Sequence, residues 1–164
     1  MTLDPMLSRF IGGLGLLLPL ALYLAAGRQE SLSAYYHTPA QPLYLLILLS
    51  VAGLLAAFGV VERGMPVPTR AVALAAALAL AGTALVPTSG PLETVHGTMA
   101  AVFFGLAAWL TWHWGVELEY KALAWVIVGS MLAALLAPRL GKPIYWPEVV
   151  AVSAFSLGWL RRVL

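Results

Sequence analysis

"LYLLILLSVAGLLAAFGVV", Leu43 to Val61, is a run of nineteen residues without a single charge. A helix of about 20 apolar residues is what the roughly 30 Å hydrocarbon core of a bilayer requires. The stretch therefore reads as a transmembrane helix, and the rest of the chain is read outward from it.

Five more segments of the same kind can be marked at 7–26, 70–87, 94–114, 122–138 and 144–162. Together with 43–61 they use most of the 164 residues, which are 62% hydrophobic and only 10% charged, with a mean hydropathy of +0.91. Soluble domains are roughly half apolar and a quarter charged. The expected fold is thus all-α: a polytopic transmembrane bundle of six helices with short loops, forming a single integral membrane domain over residues 1–164. Arg9 followed by "IGGLGLLLPLALYLAAG" also has the pattern of a secretory signal peptide; it is read here as a retained first helix. The absence of cysteine excludes disulfides and thiolate metal sites. A net charge of +2, scattered along the chain, does not suggest a nucleic-acid partner.

With six spans, both termini share one side with the second and fourth loops. That side collects Arg9, Arg63, Arg70, Lys121, Arg161 and Arg162, against Arg28, Arg139 and Lys142 opposite. The bias predicts a multi-pass protein of the cell membrane with both termini in the cytoplasm. Trp109, Trp112, Trp114, Trp125 and Trp159 would then form a cytoplasmic aromatic belt that includes His113, and Trp146 would mark the outer interface.

The outer loops carry most of the polar chemistry: "SLSAYYHTPAQP" (Ser31 to Pro42), "VPTSGPLETVH" (Val86 to His96) and "APRLGKPIYWPE" (Ala137 to Glu148). Ser33, Tyr35, Tyr36, His37, Glu93, His96, Trp146 and Glu148 therefore sit at similar depth. Each also has a plain reading. Glu93 follows Pro91 in a helix first turn, where an acid favours the dipole. Tyrosines at this depth are commonly interface anchors. Glu148 is harder to dismiss, because an acid at the edge of hydrocarbon is costly unless paired or facing a wet cavity. Glu93 and His96 are spaced i,i+3 on one helix face, so a carboxylate would neighbour the imidazole. Ser33 and His37, spaced i,i+4, meet only if the loop continues as a helical turn.

Small residues at helical spacing predict close helix approach: Gly12, Gly13 and Gly15, then Gly53 and Ala57, then Ala71, Ala75, Ala79 and Thr83. The membrane interior is almost free of ionisable groups, and Pro19 is its one obvious helix breaker. A charged transport pathway is disfavoured on that ground.

The motif "SLSAYYHT" after the first helix, "VPT" after the third, His96 before "MAAVFF", and "YWPEVVAVSAFSLGW" in the last helix resemble a bacterial family of small uncharacterised polytopic membrane proteins with an S-[IL]-S-A-Y-Y-H-T motif. On that resemblance the matching positions are Ser31, Ser33, Tyr35, Tyr36, His37, Thr38, Pro87, Thr88, His96 and Glu148. The family tends to continue with charged residues where this chain has Ala40-Gln41-Pro42, and it implies no activity. Ser33 and His37 also match the S-x-x-x-H element of the alkaline ceramidase and adiponectin receptor superfamily, whose intramembrane zinc would imply metal chemistry here. This chain departs from that superfamily in having six spans instead of seven and in lacking its later histidine pair.

Three functions follow as expectations. The leading one is an outer-face polar pocket for a lipid headgroup or small amphiphile, built from His37, His96, Glu148, Ser33 and Glu93 with Tyr35, Tyr36 and Trp146 as walls. The alternatives are a metal-dependent intramembrane lipid amidase or esterase, with zinc on His37, His96 and Glu148, and a structural or partner-binding membrane subunit without ligand. Whether the protein is an enzyme stays open between them. Membrane lipids are partners under each.

Overall fold

In lipid a backbone has no water to bond to, so each apolar segment satisfies its N–H and C=O groups within its own helix. A computed structural model describes residues 3–62 and 64–163; Arg63, counted above with the basic residues, lies outside the described residues. The helices are α1 (Leu3–Ala26), α2 (Gln41–Val61), α3 (Val67–Leu85), α4 (Glu93–His113), α5 (Leu118–Leu136) and α6 (Tyr145–Arg161), with short 3-10 turns at Ser33–His37, Gly90–Leu92 and Pro138–Leu140. No strand occurs among the described residues. Five of the six are long and apolar enough to cross a membrane, which makes this an integral membrane protein; α6, with 17 residues, is the shortest.

Element ends move by a few residues from the apolar segments. Prolines at the first helical positions pull α2 and α3 back to Gln41 and Val67. α5 begins at Leu118 because its polar first turn has partners: Glu119 pairs with Arg161, and Lys121 donates to the Trp112 carbonyl and lies over the Trp112 ring.

Each helix packs against the next in sequence, and α6 returns to α1, so the six close into a ring; a smaller contact joins α4 to α6 across it. Closure depends on α1 and α6 approaching closely. A Cβ at Gly12 would lie 2.6 Å from Leu160 Cγ and 2.7 Å from the Ser156 carbonyl oxygen, and one at Gly15 would collide with the Ser156 hydroxyl. Gly59 plays the same part between α2 and α3, against Leu74 and the Arg70 carbonyl. The expected stripe of small residues is therefore only partly the packed one. Gly13 and Gly53 face open space, Ala71 and Ala75 are exposed, and α3 buries Ala73, Ala76, Ala77, Ala79, Leu80, Thr83 and Ala84. In so uniformly apolar a helix no polar stripe says which side turns inward.

The middle of the ring is filled from one end by aromatic rings. Phe103 meets Phe155 edge-on with centroids 5.6 Å apart, and Trp159, fully buried, meets Phe58 at 4.9 Å and Trp114 at 4.6 Å. Arg162 caps this column, its guanidinium carbon 4.8 to 5.4 Å from the Phe58, Trp159 and Trp114 ring centres. Trp114 and Trp159 therefore belong to the core and not to an interfacial belt. Trp112 and Trp125 remain exposed and edge to face, and His113 stacks on Trp109. The opposite end gathers the first, third and fifth loops around the buried side chains of Tyr35, Tyr44 and Tyr145.

Candidate functional site

The first loop enters the bundle through Ser33–His37, wound as a 3-10 turn with Tyr35 directed inward. Tyr35 is fully buried and donates its hydroxyl proton to the Gly27 carbonyl, 2.5 Å away, which fastens the turn to the end of α1. Burial pushes this hydroxyl up to about 12, with Tyr145 adding to the effect, so it stays a proton donor. Ser31 Oγ accepts from the Ala34 amide, and Thr38 closes the turn by donating to the Tyr35 carbonyl. These local bonds fix where Ser33 points.

Ser33 is the centre of the arrangement. Its Oγ lies 2.9 Å from His96 Nε2, and His96 Nδ1 lies 2.9 Å from the Val86 carbonyl oxygen. A carbonyl only accepts, so Nδ1 carries the proton and Nε2 of the neutral ring accepts the proton of the Ser33 hydroxyl. Glu148, in the first turn of α6, accepts the Leu32 amide at 2.5 Å and lies near the Ser33 amide and hydroxyl without a standard hydrogen bond to either. The Ser33 hydroxyl thus has His96 Nε2 as its acceptor, with the Glu148 carboxyl group close by. The buried hydroxyl of Tyr44, from the first turn of α2, is directed at the same serine but stops short of a standard hydrogen bond. Side chains from α2, α4 and α6 thus surround the turn that carries Ser33.

An open cleft of about 1420 Å³ leads to this point. Ser33, His96 and Glu148 line it together with the exposed charges of Arg28, Glu30, Glu93 and Lys142, and it continues as an open groove between α4 and α5 past Gly97, Ala101, Phe104, Met131 and Leu135. Where aromatic rings fill the far end of the bundle, small residues leave space here.

The structure brings together three of the residues singled out in the sequence, Ser33, His96 and Glu148, and separates the others. His37 lies on the cleft wall, but its Nε2 faces Ser89 Oγ at 3.3 Å and its ring is exposed. The cause is the 3-10 winding, in which residues i and i+3 eclipse, so Ser33 and His37 at i,i+4 diverge. Glu93 stands exposed at the mouth and does not bond His96, whose ring nitrogens are both taken by Val86 and Ser33. Tyr35 is core, Tyr36 packs edge-on against His37 and Tyr44, and Trp146 is 57% exposed beside Tyr145; none of the three lines the cleft. His37, His96 and Glu148 consequently form no common ligand set, and among the described residues no three His, Asp or Glu side chains converge as a metal would require. Sequence reasoning missed Tyr44, although a lone hydroxyl in the first turn of so apolar a helix was a signal. It also missed the backbone partners Leu32 and Val86, which carry no side-chain signal at all.

Compared with protein-family models, curated proteins and solved structures, the chain matches none of them.

Proposed function

We propose that the protein binds a lipid or small amphiphile in the cleft at its first-loop end, with the polar part at Ser33, His96 and Glu148 and an apolar chain lying between α4 and α5. One observation carries this reading: a single cleft has polar side chains at its end, charges of both signs at its mouth, and small apolar residues along its walls. Convergent polar groups in an apolar concavity are the usual form of such a site. His37 and Glu93 act at the rim in this reading.

The test is lipid mass spectrometry of protein purified in mild detergent, beside Ala101→Trp, which fills the apolar part of the cleft without touching Ser33, His96 or Glu148. A lipid retained at about one per chain in the parent and lost in the variant supports binding. Equal or negligible retention in both favours a structural or partner-binding subunit.

We further propose a cell-membrane location with both termini cytoplasmic, supported among the described residues by Arg9, Arg70, Lys121, Arg161 and Arg162 on one side of the bundle against Arg28, Arg139 and Lys142 on the other. Cysteines replacing Ser31 and Ser89 should react with an impermeant thiol reagent in intact cells, and one replacing Glu117 should not. The opposite pattern inverts the orientation.

A further inference from the structure

We propose that Ser33 is a nucleophile and His96 its general base, acting on the carboxylic ester of an acyl lipid held in the cleft. This rests on the amphiphile-binding reading and extends it from binding to acyl transfer.

The geometry meets the three requirements of an activated serine. The nucleophile and base are within hydrogen-bond reach, at 2.9 Å. The base is oriented by a third group, since the Val86 carbonyl holds the Nδ1 proton and leaves Nε2 free to accept. The reacting atom is also accessible, because Ser33 lines the cleft and is not sealed in the core as Tyr35 is. Three buried hydroxyls in the helices are spent on their own backbone: Thr83, Thr111 and Ser156 each donate to the carbonyl four residues back. Ser33 instead gives its proton to an imidazole from an element 63 residues away.

Glu148 is a positioning residue. Its carboxylate holds the Leu32 amide and so fixes the backbone that carries Ser33.

In the first step Ser33 Oγ attacks the ester carbonyl carbon and its proton passes to His96 Nε2. Collapse breaks the bond to the alcohol oxygen, which leaves with the proton from His96, and Ser33 remains acylated. Water from the open mouth then attacks the acyl carbon, giving its proton to His96. Ser33 Oγ departs as the leaving group and is reprotonated from His96, releasing a carboxylic acid. Ester and water become alcohol and acid, with no oxidant or metal required.

The experiment treats detergent-purified full-length protein with a long-chain alkyl fluorophosphonate, followed by intact mass and peptide mapping, with lipid mass spectrometry on the same preparation. The expected result is one adduct per chain at Ser33, absent in Ser33→Ala and formed about 100-fold or more slowly in His96→Gln, the usual scale of a general base. Mapping the parent protein needs no variant to fold. No adduct, or an adduct elsewhere, overturns the proposal even if lipid is retained, leaving the binding reading intact. Labelling at Ser33 without any retained lipid supports the nucleophile and removes the binding reading. A rate lost in Glu148→Gln but kept in His96→Gln would assign the base to Glu148 and overturn the pair.

Discussion

The two ends of the bundle solve opposite problems with the same six helices. At the end that gathers the termini, large rings interlock: Trp159 is fully buried between Phe58, Trp114 and Phe155, and Arg162 lies over three of these rings. At the first-loop end an open cleft lies beside α4, α5 and α6 next to the buried rings of Tyr35, Tyr44 and Tyr145, and the polar side chains that line it are tied by hydrogen bonds to Leu32 and Ser33. Ring packing depends on filled volume, and any lost ring leaves a void whose lining atoms lose their contacts. A hydrogen-bonded cluster beside a cleft is different, because water or ligand can replace a lost partner. The comparison teaches that tryptophan and phenylalanine packing dominates one end and hydrogen-bonded polar side chains the other.

The largest effect expected from that division is Trp159→Ala, which should cost about 3–5 kcal/mol. Unfolding in detergent followed by circular dichroism measures it. A cost no larger than that of single changes at the first-loop end would erase the distinction.

Glu148→Ala comes next, at about 1–3 kcal/mol, because the Leu32 amide is left without its acceptor. The effect should be local: hydrogen exchange at the Leu32 amide should quicken by at least about 10-fold, while the amides around Trp159 keep their protection. Equal acceleration at both ends would mean the ring opens as one cooperative unit.

Gly12→Val should cost about 1–3 kcal/mol, because the new side chain meets the Ser156 carbonyl and Leu160 and must push α6 away from α1. The paired change Gly13→Val, on the open side of the same helix, sharpens the point, since it should stay close to the parent. Similar losses at both positions would deny that ring closure depends on this contact.

Ser33→Ala should be the mildest, at about 1 kcal/mol or less, since His96 Nε2 can be solvated from the cleft. A loss approaching that of Trp159→Ala would make Ser33 a structural residue and move stability to the wrong end.

How legible this was depends on which force placed each residue. The helices were legible because the need to satisfy every backbone group in lipid acts on each segment separately, so "LYLLILLSVAGLLAAFGVV" reads as a helix whatever surrounds it. Glu148 and His96 were legible as sites for the same reason, because polar groups at that depth must find partners. Their partners were not legible. The spacing of Ser33 and His37 suggested a pair, and a 3-10 turn parted them and gave Ser33 to His96. Glu93, one turn before His96, yielded its expected place to a backbone carbonyl from the preceding loop. Trp114 and Trp159 looked like two more belt residues until the contact of α4 with α6 turned them into core.

By itself, the sequence determined that the chain lies in a membrane as apolar helices with their polar chemistry at the loops, since hydropathy and backbone satisfaction are properties of each segment alone. Only the tertiary structure decided which faces turn inward, which end of the bundle carries a cleft, and that Ser33 has His96 and Glu148 as neighbours. Those choices depend on the shapes of six helices at once and on contacts between residues 63 and 116 positions apart, which no local pattern encodes.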